Sequence, residues 1–163
     1  MAREYYFAYG SNMDEEQMRY RCPNAIKVSE GLLPVYRFAI DQAGVATVIW
    51  DPSSFVEGIV WSVTPNDIRN LDRYEGVAEN WYRKDYLSVV KRNRYGTFIE
   101  ALVYISCRPE WDKPSGTGSR YMRDILHTAA HHHFREDYMQ ILMKYAEIDI
   151  IPAKPHKSVV ETV

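Results

Sequence analysis

The sequence predicts an α+β fold in which a small mixed, barrel-like curved β-sheet is flanked by helices. Apolar, β-branched or aromatic segments recur between residues 4 and 107, and one short helical pattern interrupts them. Two further helical patterns follow towards the C-terminus, an order that is typical of α+β proteins. So many strands in a chain of 163 residues favour closure of the sheet. We expect a single domain over residues 1–151 and a C-terminal tail over residues 152–163, because Pro152 and Pro155 end regular structure.

The first strand is predicted over residues 5–9, an aromatic run that stops at Gly10. Gly10 allows backbone angles that other residues resist, so the chain can turn sharply there. Asn12 is a good N-cap and Glu15 completes a capping box, which predicts a helix over about residues 13–21. A turn of this kind gathers backbone N–H groups and suits a carboxylate or an oxyanion. The alternative is a capped strand-to-helix turn without a ligand.

Several further strands are predicted from β-branched and aromatic segments. These segments are residues 26–40, 44–50, 55–63, 81–90 and 97–107. The turn residues 51–54 separate the second and third segments, so we expect those two to form a hairpin. Gly58 indicates a bulge or a close approach of two backbones.

The short internal helix has strong boundaries. Thr64 is a suitable N-cap, Pro65 occupies the first helical position, and Gly76 is placed to end the helix near residue 75. The C-terminal helical patterns cover residues 119–131 and 135–148.

Two carboxylates continue the apolar face of the short helix. Ile68 and Leu71 share the face that should point to the core, and Asp72 and Glu75 extend it. Glu75 lies in the last turn, where the helix dipole disfavours a negative charge. An inward carboxyl group there should have a raised pKa, which suits a general base and acid. The alternative is a solvated glutamate at a frayed helix end.

Composition excludes several classes of protein. A hydrophobic content of 46% and a charged content of 26% are those of an ordinary soluble domain. The net charge of −2 gives no attraction to nucleic acid or to an anionic membrane. No apolar run approaches the roughly 18 residues of a membrane span, and we find no N-terminal signal segment. Cys22 and Cys107 have no metal or redox spacing, so we expect reduced thiols in a cytoplasmic protein.

Metal binding and serine nucleophilicity are not favoured by the sequence. The three adjacent histidines at positions 131–133 point in different directions on a helix and cannot ligate one ion together, so we expect a solvated helix end. His127 and His131 could form half a site, but no partner ligands are evident. Ser11 has no histidine nearby in the sequence to activate it.

Two segments together resemble the γ-glutamylcyclotransferase-like family. They are residues 6–13 (YFAYGSNM) and residues 71–76 (LDRYEG). The opening motif combined with a Glu-Gly helix end at this separation is more specific than either motif alone. The resemblance extends over roughly residues 4–145.

Intermediate landmarks are also similar to the family, whereas two features differ from it. Residues 44–47 (GVAT) and 56–61 (VEGIVW) match, and Tyr121 follows a Pro-Ser pair as in the family's segment before its last helices. Tyr74 is larger than the residue expected before the glutamate in members that act in the glutathione cycle. The loop over residues 109–119 has no clear counterpart. These differences leave the leaving amine open: an amino acid, lysine, a polyamine or a glutamylated natural product such as an aminoglycoside.

The resemblance implies a reaction and a set of site residues. Family members have a mixed barrel, use no metal or organic cofactor, and release 5-oxoproline when the α-amine of a γ-glutamyl amine attacks its own γ-carbonyl. Glu75 matches the catalytic glutamate that moves the protons. The glutamyl group would be held by the turn formed by Tyr9, Gly10, Ser11, Asn12 and Met13. The pocket tyrosines would be Tyr82, Tyr104 and Tyr121.

Two other functions are compatible with the same residues. A non-catalytic module could bind a carboxylate metabolite in the turn, although an inward Glu75 would repel an anionic ligand. A hydrolase would use the same groups with an added water and release glutamate. In each case we expect a small-molecule partner, no nucleic acid or membrane, and a monomer or homodimer.

Overall fold

The computed structural model describes residues 2–92, 96–111 and 119–147. These residues form five strands: β1 (Glu4–Ala8), β2 (Ile26–Ile40), β3 (Ala46–Val63), β4 (Tyr82–Lys91) and β5 (Phe98–Ser106). They also form four α-helices: α1 (Glu15–Arg21), α2 (Pro65–Tyr74), α3 (Ser119–His131) and α4 (Glu136–Glu147). Short 3-10 turns lie at Ser11–Met13 and Val77–Glu79. The predicted tail, residues 152–163, lies outside the described residues.

The five strands close into a barrel in the order β1-β3-β2-β4-β5. β1 is antiparallel to β3 and parallel to β5, to which it pairs through Tyr6 and Leu102. Closure pairs the strands that would otherwise be the exposed edges of an open sheet. The predicted α+β fold with a mixed, barrel-like sheet is confirmed.

The predicted hairpin between residues 44–50 and 55–63 is wrong. Both segments belong to the single strand β3, and its hairpin partner is β2, across a turn that contains Asp41 and Gly44. β2 and β3 pair along almost their whole length.

A wide bulge explains why turn residues lie inside β3. Pro34 pairs with Phe55 and Tyr36 pairs with Trp50, so that the four turn residues of β3 lie opposite Val35 alone. Val35 takes a left-handed backbone conformation, with φ of 59°. The four turn residues therefore form an irregularity within the otherwise continuous pairing of β2 and β3.

Strands β1 and β3 approach closely at Gly58. A β-carbon there would overlap the carbonyl oxygen of Ala8 and lie within 2.7 Å of the Phe7 ring. The predicted close approach of two backbones is confirmed. This close approach fixes the position of the end of β1, and the next turn of the chain starts there.

Helix α1 begins later than predicted, and Asn12 is not its N-cap. Residues Ser11–Met13 first form a 3-10 turn, closed by the bond from the Met13 N–H to the Gly10 carbonyl oxygen (3.1 Å). Asp14 then caps the helix by accepting a hydrogen bond from the Gln17 N–H at 2.7 Å. Because Asp14 caps α1 after this 3-10 turn, the Asn12 side chain is available for other hydrogen bonds.

Helix α2 has the predicted boundaries. Thr64 and Asp67 form a complete capping box, and Pro65 occupies the first turn. The helix ends at Tyr74, and Gly76 follows in the left-handed conformation with φ of 62°. Glu75 therefore lies at the helix end, as the sequence predicts.

The C-terminal helices α3 and α4 agree with the predicted segments and pack against each other. Parts of the two predicted connections, residues 93–95 and 112–118, lie outside the described residues. Among the described helices, none is long and apolar enough to cross a membrane.

Candidate active site

A cavity of about 440 Å³ lies where the turn after β1 meets the C-terminal end of α2. It brings together residues from β1, α1, the β2–β3 turn, α2, β5 and α3. The predicted site residues that line it are Tyr9, Gly10, Ser11, Asn12, Glu75, Tyr82, Tyr104 and Tyr121. Residues separated by more than a hundred positions thus share one wall.

Met13 is the predicted site residue that does not line the cavity. Its side chain is fully buried in the hydrophobic core, and its N–H is used by the Gly10 carbonyl oxygen. The Met13 side chain thus lies in the core, and the structure does not bring it to the cavity with the other predicted site residues.

The turn after β1 presents backbone donors to the cavity. In the part of the chain that the structure describes, no acceptor is found for the N–H groups of Gly10, Ser11 and Asn12. Gly10 has φ of −116° and ψ of −137°, a combination outside the ordinary helical and extended regions. A β-carbon at Gly10 would lie 3.3 Å from the Ala46 β-carbon and 3.5 Å from the Tyr121 hydroxyl. Glycine keeps this wall open.

Glu75 is the acidic side chain of the cavity wall, and it is partly exposed there. Burial raises the pKa of its carboxyl group to about 7, against the opposing effect of the Arg21 and Arg108 guanidinium groups. The sequence predicted a raised pKa from the inward placement of Glu75 and from the helix dipole, and burial is the main cause. A carboxyl group with this pKa exchanges protons near neutral pH.

The Asn12 side chain holds Glu75 in place. Its amide nitrogen donates to the Tyr6 hydroxyl at 3.0 Å and to Glu75 Oε1 at 3.2 Å. Its amide oxygen accepts from Gln17 Nε2 at 3.2 Å and from Arg21 Nη1 at 2.8 Å. Asn12 is only 4% exposed, so these four bonds determine its orientation. Sequence reasoning treated Asn12 as a cap and missed this network.

Tyr9 and Tyr104 both line the cavity, and each hydroxyl group donates a hydrogen bond. The Tyr9 hydroxyl donates to the Tyr104 carbonyl oxygen at 2.5 Å, and the Tyr104 hydroxyl donates to Asp72 Oδ1 at 2.7 Å. Burial raises the pKa of both tyrosines, so both remain neutral donors. Asp72, predicted to face inwards with Glu75, is bonded to Tyr104 and to Lys84.

The Tyr82 and Tyr121 hydroxyl groups bond the two backbone groups of one residue, Ala46. The Tyr82 hydroxyl donates to the Ala46 carbonyl oxygen at 2.5 Å, while the Ala46 N–H donates to the Tyr121 hydroxyl at 2.9 Å. Burial raises the pKa of both hydroxyl groups. Because Tyr121 accepts this bond, its own hydroxyl hydrogen can serve a further acceptor.

Two arginines line the cavity and were not predicted. The Arg21 guanidinium lies 4.5 Å from the centre of the Tyr74 ring. Arg108 donates from Nε to Asp41 Oδ2 at 2.9 Å. The i,i+4 spacing of Gln17 and Arg21 on α1 could have placed both on one face. Nothing local to Arg108 indicates its position.

The described residues contain no group of three or more histidine, cysteine or acidic side chains able to hold a metal ion. The expectation that residues 131–133 are a solvated helix end is wrong for His132, which is 7% exposed. Its Nδ1 lies 3.2 Å from both Lys27 Nζ and Glu30 Oε1, and burial lowers its pKa. His131 and His133 are exposed.

Comparison with known proteins identifies the family of this chain. The family model described as "Gamma-glutamyl cyclotransferase, AIG2-like" matches residues 6–123, which include Asn12, Glu75 and Tyr121. The chain belongs to this family. The match contains all the predicted site residues, and the resemblance inferred from the sequence is confirmed.

Curated relatives carry the name gamma-glutamylcyclotransferase. The mouse protein is 26% identical over 147 residues, covering 84% of this chain and 76% of its own. The bovine and human proteins are 31% and 30% identical over 87 residues, covering 47% of this chain. The matched segment spans about half (46%) of the bovine and human proteins.

Solved structures show the same fold. A structure titled gamma-glutamyl cyclotransferase has a TM-score of 0.73 at 21% identity, covering 99% of this chain and 94% of that one. An uncharacterized human protein also has a TM-score of 0.73, at 24% identity and 88% coverage of each chain. At these identities the likeness establishes the fold alone.

Proposed function

We propose that the protein is a γ-glutamylcyclotransferase that cleaves a γ-glutamyl amine into 5-oxoproline and the free amine. The observation that carries this proposal is Glu75, a carboxyl group with a pKa near 7 that Asn12 holds beside a turn with available backbone donors. Family membership supports the same reaction class.

Proton transfer is the role we propose for Glu75. Its carboxylate takes a proton from the α-ammonium group of the substrate, and the free amine attacks the γ-carbonyl carbon of the same molecule. The protonated carboxyl group then gives that proton to the leaving nitrogen as the amide C–N bond breaks. The attacking nitrogen loses its second proton to Glu75, which passes it to the departing amine, so the products are 5-oxoproline and the amine in its ammonium form. No water is consumed, and Glu75 ends as the carboxylate.

The turn over residues Gly10, Ser11 and Asn12 would bind the glutamyl group. Its N–H groups suit the α-carboxylate or the oxygen that becomes negatively charged when the carbonyl is attacked. Ring closure is intramolecular, so holding the substrate in a folded conformation supplies much of the rate enhancement. The Tyr121 hydroxyl, which burial keeps neutral, accepts from Ala46 and still has its own hydrogen to donate to a polar substrate.

The substrate would be a soluble small molecule, without a nucleic acid or membrane partner, and the protein a monomer or homodimer. We place the reaction in the cytoplasm because Cys22 and Cys107 are both free thiols, which is the usual state in a reducing compartment.

The test is detection of 5-oxoproline by mass spectrometry after incubation with γ-glutamyl amines whose leaving groups are amino acids, lysine, polyamines or aminoglycosides. Release of 5-oxoproline by the wild type and not by Glu75→Gln is the expected result. Free glutamate instead would identify a hydrolase. Ligand-induced stabilisation without any product would identify a binding module, and either result would overturn the proposal.

A further inference from the structure

The end of α1 contacts the end of α2 next to the cavity. Arg21 is the last residue of α1 and Tyr74 is the last residue of α2, and the Arg21 guanidinium lies 4.5 Å from the centre of the Tyr74 ring. A guanidinium over an aromatic face at this distance makes a cation–π contact. The backbone is tied as well, since the Asn70 amide nitrogen donates to the Arg21 carbonyl oxygen at 3.1 Å. The Arg21 side chain therefore has a defined position beside Tyr74.

Arg21 determines which end of the Asn12 amide faces Glu75. Its Nη1 donates to Asn12 Oδ1 at 2.8 Å, and a guanidinium has donors only, so it can bond the oxygen of the amide but not the nitrogen. The amide nitrogen is thereby directed to the other side, where it reaches Glu75 Oε1 at 3.2 Å. Gln17 and Tyr6 also bond this amide, but each can act as a donor or as an acceptor and does not impose the choice.

The orientation of this amide matters for the protonation of Glu75. An N–H donor beside a carboxylate favours the ionised form, whereas an amide oxygen in its place would favour the protonated form. Burial raises the pKa of Glu75, and the Arg21 charge has the larger of the two arginine effects that oppose it. Arg21 thus acts on the proposed base directly and also through Asn12.

Other titratable groups face Glu75 from the remaining sides of the cavity. Arg108 supplies the second positive charge. Burial raises the pKa of each tyrosine that interacts with the Glu75 charge, so these hydroxyl groups stay neutral near pH 7. They are Tyr6, Tyr9, Tyr82, Tyr104 and Tyr121. A substitution of Arg21 therefore removes one of the two arginine charges that act on this carboxyl group.

We propose that Tyr74 and Arg21 are positioning residues for Glu75: the Tyr74 ring holds the guanidinium, and the guanidinium holds the Asn12 amide with its nitrogen towards the carboxylate. Tyr74 and Glu75 are adjacent in the chain, and these contacts connect them a second time through α1 and the turn after β1. This assignment rests on the proposed function, in which Glu75 must be ionised and correctly oriented to take a proton from the α-ammonium group.

Arg21→Met tests the central residue of this arrangement. The substrate is the γ-glutamyl amine, among those with amino acid, lysine, polyamine or aminoglycoside leaving groups, that the wild type cleaves fastest. We expect kcat at the pH optimum to fall by about 10- to 100-fold, because the carboxylate loses its fixed orientation, while KM stays within about threefold. The midpoint of the pH profile of kcat/KM should rise by about one unit, because a positive charge that favours the ionised form is lost. Loss of folded protein alone would move neither KM nor this midpoint.

Arg21→Lys separates the charge from the shape of the guanidinium. Lysine keeps the positive charge but lacks the planar group that stacks on the Tyr74 ring. The pH midpoint should therefore stay close to that of the wild type, and kcat should lie between those of the wild type and Arg21→Met.

Variants of Tyr74 test the outer member of the arrangement. Its side chain is 46% exposed, so substitutions there should leave the fold intact. Tyr74→Leu removes the aromatic face and should lower kcat by about three- to tenfold, with little change in KM. Tyr74→Phe keeps the ring and should retain at least about half of the wild-type kcat.

A double-variant cycle tests the route through Asn12. In an Asn12→Ala background, Arg21→Met should lower kcat by less than about threefold, because the group through which Arg21 acts is already missing. The shift of the pH midpoint should persist in part, since the charge also acts directly on Glu75. Asn12 is buried, so thermal unfolding of each variant is measured alongside, and the Tyr74 variants decide the test if Asn12→Ala does not fold.

Arg19→Gln is the matched charge control. Arg19 is an exposed arginine of the same helix, two residues before Arg21. Its substitution removes one positive charge from α1 and should change neither kcat nor the pH midpoint.

Failure of this assignment can be distinguished from failure of the proposed function. If the wild type releases 5-oxoproline, an unchanged kcat and pH midpoint in Arg21→Met would overturn the positioning role and leave the reaction intact. A large rise in KM at unchanged kcat would do the same, because Arg21 would then bind the substrate itself. Additive losses in the cycle would overturn the route through Asn12. Absence of 5-oxoproline from every substrate with the wild type would overturn the proposed function and this assignment with it.

Discussion

A hydrogen bond between Asn12 and Glu75 joins two parts of the cavity that are 63 positions apart in the chain. Asn12 uses all four hydrogen-bonding positions of its amide, and one of them fixes Glu75. A carboxyl group held in this way has a restricted set of rotamers, so a reacting proton has a short and constant path. The position of Glu75 and its raised pKa make it the first residue to substitute in a test of the reaction.

Glu75→Gln should lower kcat by a factor on the order of 10³, because the variant keeps the shape and loses the proton carrier. KM should change little, since the amide still occupies the same space. The measurement is 5-oxoproline release under saturating substrate. Glu79→Gln is the matched control, because Glu79 is an exposed glutamate just beyond α2 and should have no effect. Near-normal kcat in the Glu75 variant would remove this residue from the mechanism.

The rate should depend on pH through Glu75. The reaction needs the ionised carboxylate, and burial raises its pKa to about 7, so kcat/KM should fall as the pH decreases below that value. The measurement is a pH profile of kcat/KM between pH 5 and pH 8. A profile that stays flat down to pH 5 would show that the reactive base has an ordinary carboxyl pKa.

Residue roles were predictable from the sequence only where spacing along one helix determines them. Glu75 was found because residues three and four apart share a helix face with Leu71. Arg108 could not be found, since its position depends on the end of β5 meeting the turn around Asp41. Asn12 was placed in the site but given the wrong partner, because the 3-10 turn before α1 leaves no trace in the pattern.

The end of α2 is the element whose geometry sets the site. Gly76 takes φ of 62°, and a β-carbon there would overlap the Trp81 ring. This close contact lets the chain leave the helix immediately after Glu75 and enter β4. The carboxyl group therefore stays at the helix end, beside the cavity.

Gly76→Ala should destabilise the protein by about 2–4 kcal/mol, from the left-handed backbone together with the overlap on Trp81. Gly96→Ala is the matched control: φ there is 81°, but no atom of the described residues lies within 4 Å of a β-carbon, so we expect only the backbone cost of about 1 kcal/mol. The measurement is urea unfolding of both variants. Equal losses would mean that the Trp81 contact relaxes without penalty.

Elements with strong local boundaries were predicted well. The capping box and the terminal glycine of helix α2 each involve only a few neighbouring residues. Both ends of this helix can therefore be recognised in the local sequence. Strand β3 was divided in two, because its internal turn residues are absorbed by pairing with β2 across a bulge at Val35. A ladder formed with a distant segment can override local turn preferences.

At the scale of the whole molecule, the site lowers the stability of the fold above neutral pH. A buried carboxyl group with a raised pKa binds a proton in the folded state more tightly than in the unfolded chain. The unfolding free energy should therefore fall as the pH rises from the unfolded pKa of about 4.3 to the folded value near 7.

Glu75→Gln should consequently be more stable than the wild type at pH 8, by about 1–3 kcal/mol, and similar to it at pH 4. The wild type loses proton-linked stability between these values, whereas the amide does not titrate. The measurement is the thermal unfolding midpoint of both proteins at the two pH values. A variant that is equally stable at pH 8 would indicate an ordinary folded-state pKa for Glu75.

The closed barrel was predictable as a class, from the number of strands in a short chain. Its strand order was not, because the position of β1 between β3 and β5 depends on pairings that no local pattern encodes. The same non-local pairing assembles the cavity.

Closure of the barrel through β1 has a consequence for synthesis on the ribosome. The first strand can pair with β3 once about 63 residues have emerged, but its contact with β5 at Leu102 requires a much longer nascent chain. Tyr121 of α3, which bonds Ala46, emerges later still. Domains generally fold as units during translation, and contacts distant in sequence form slowly. The growing polypeptide therefore acquires its complete cavity only after Tyr121 has emerged.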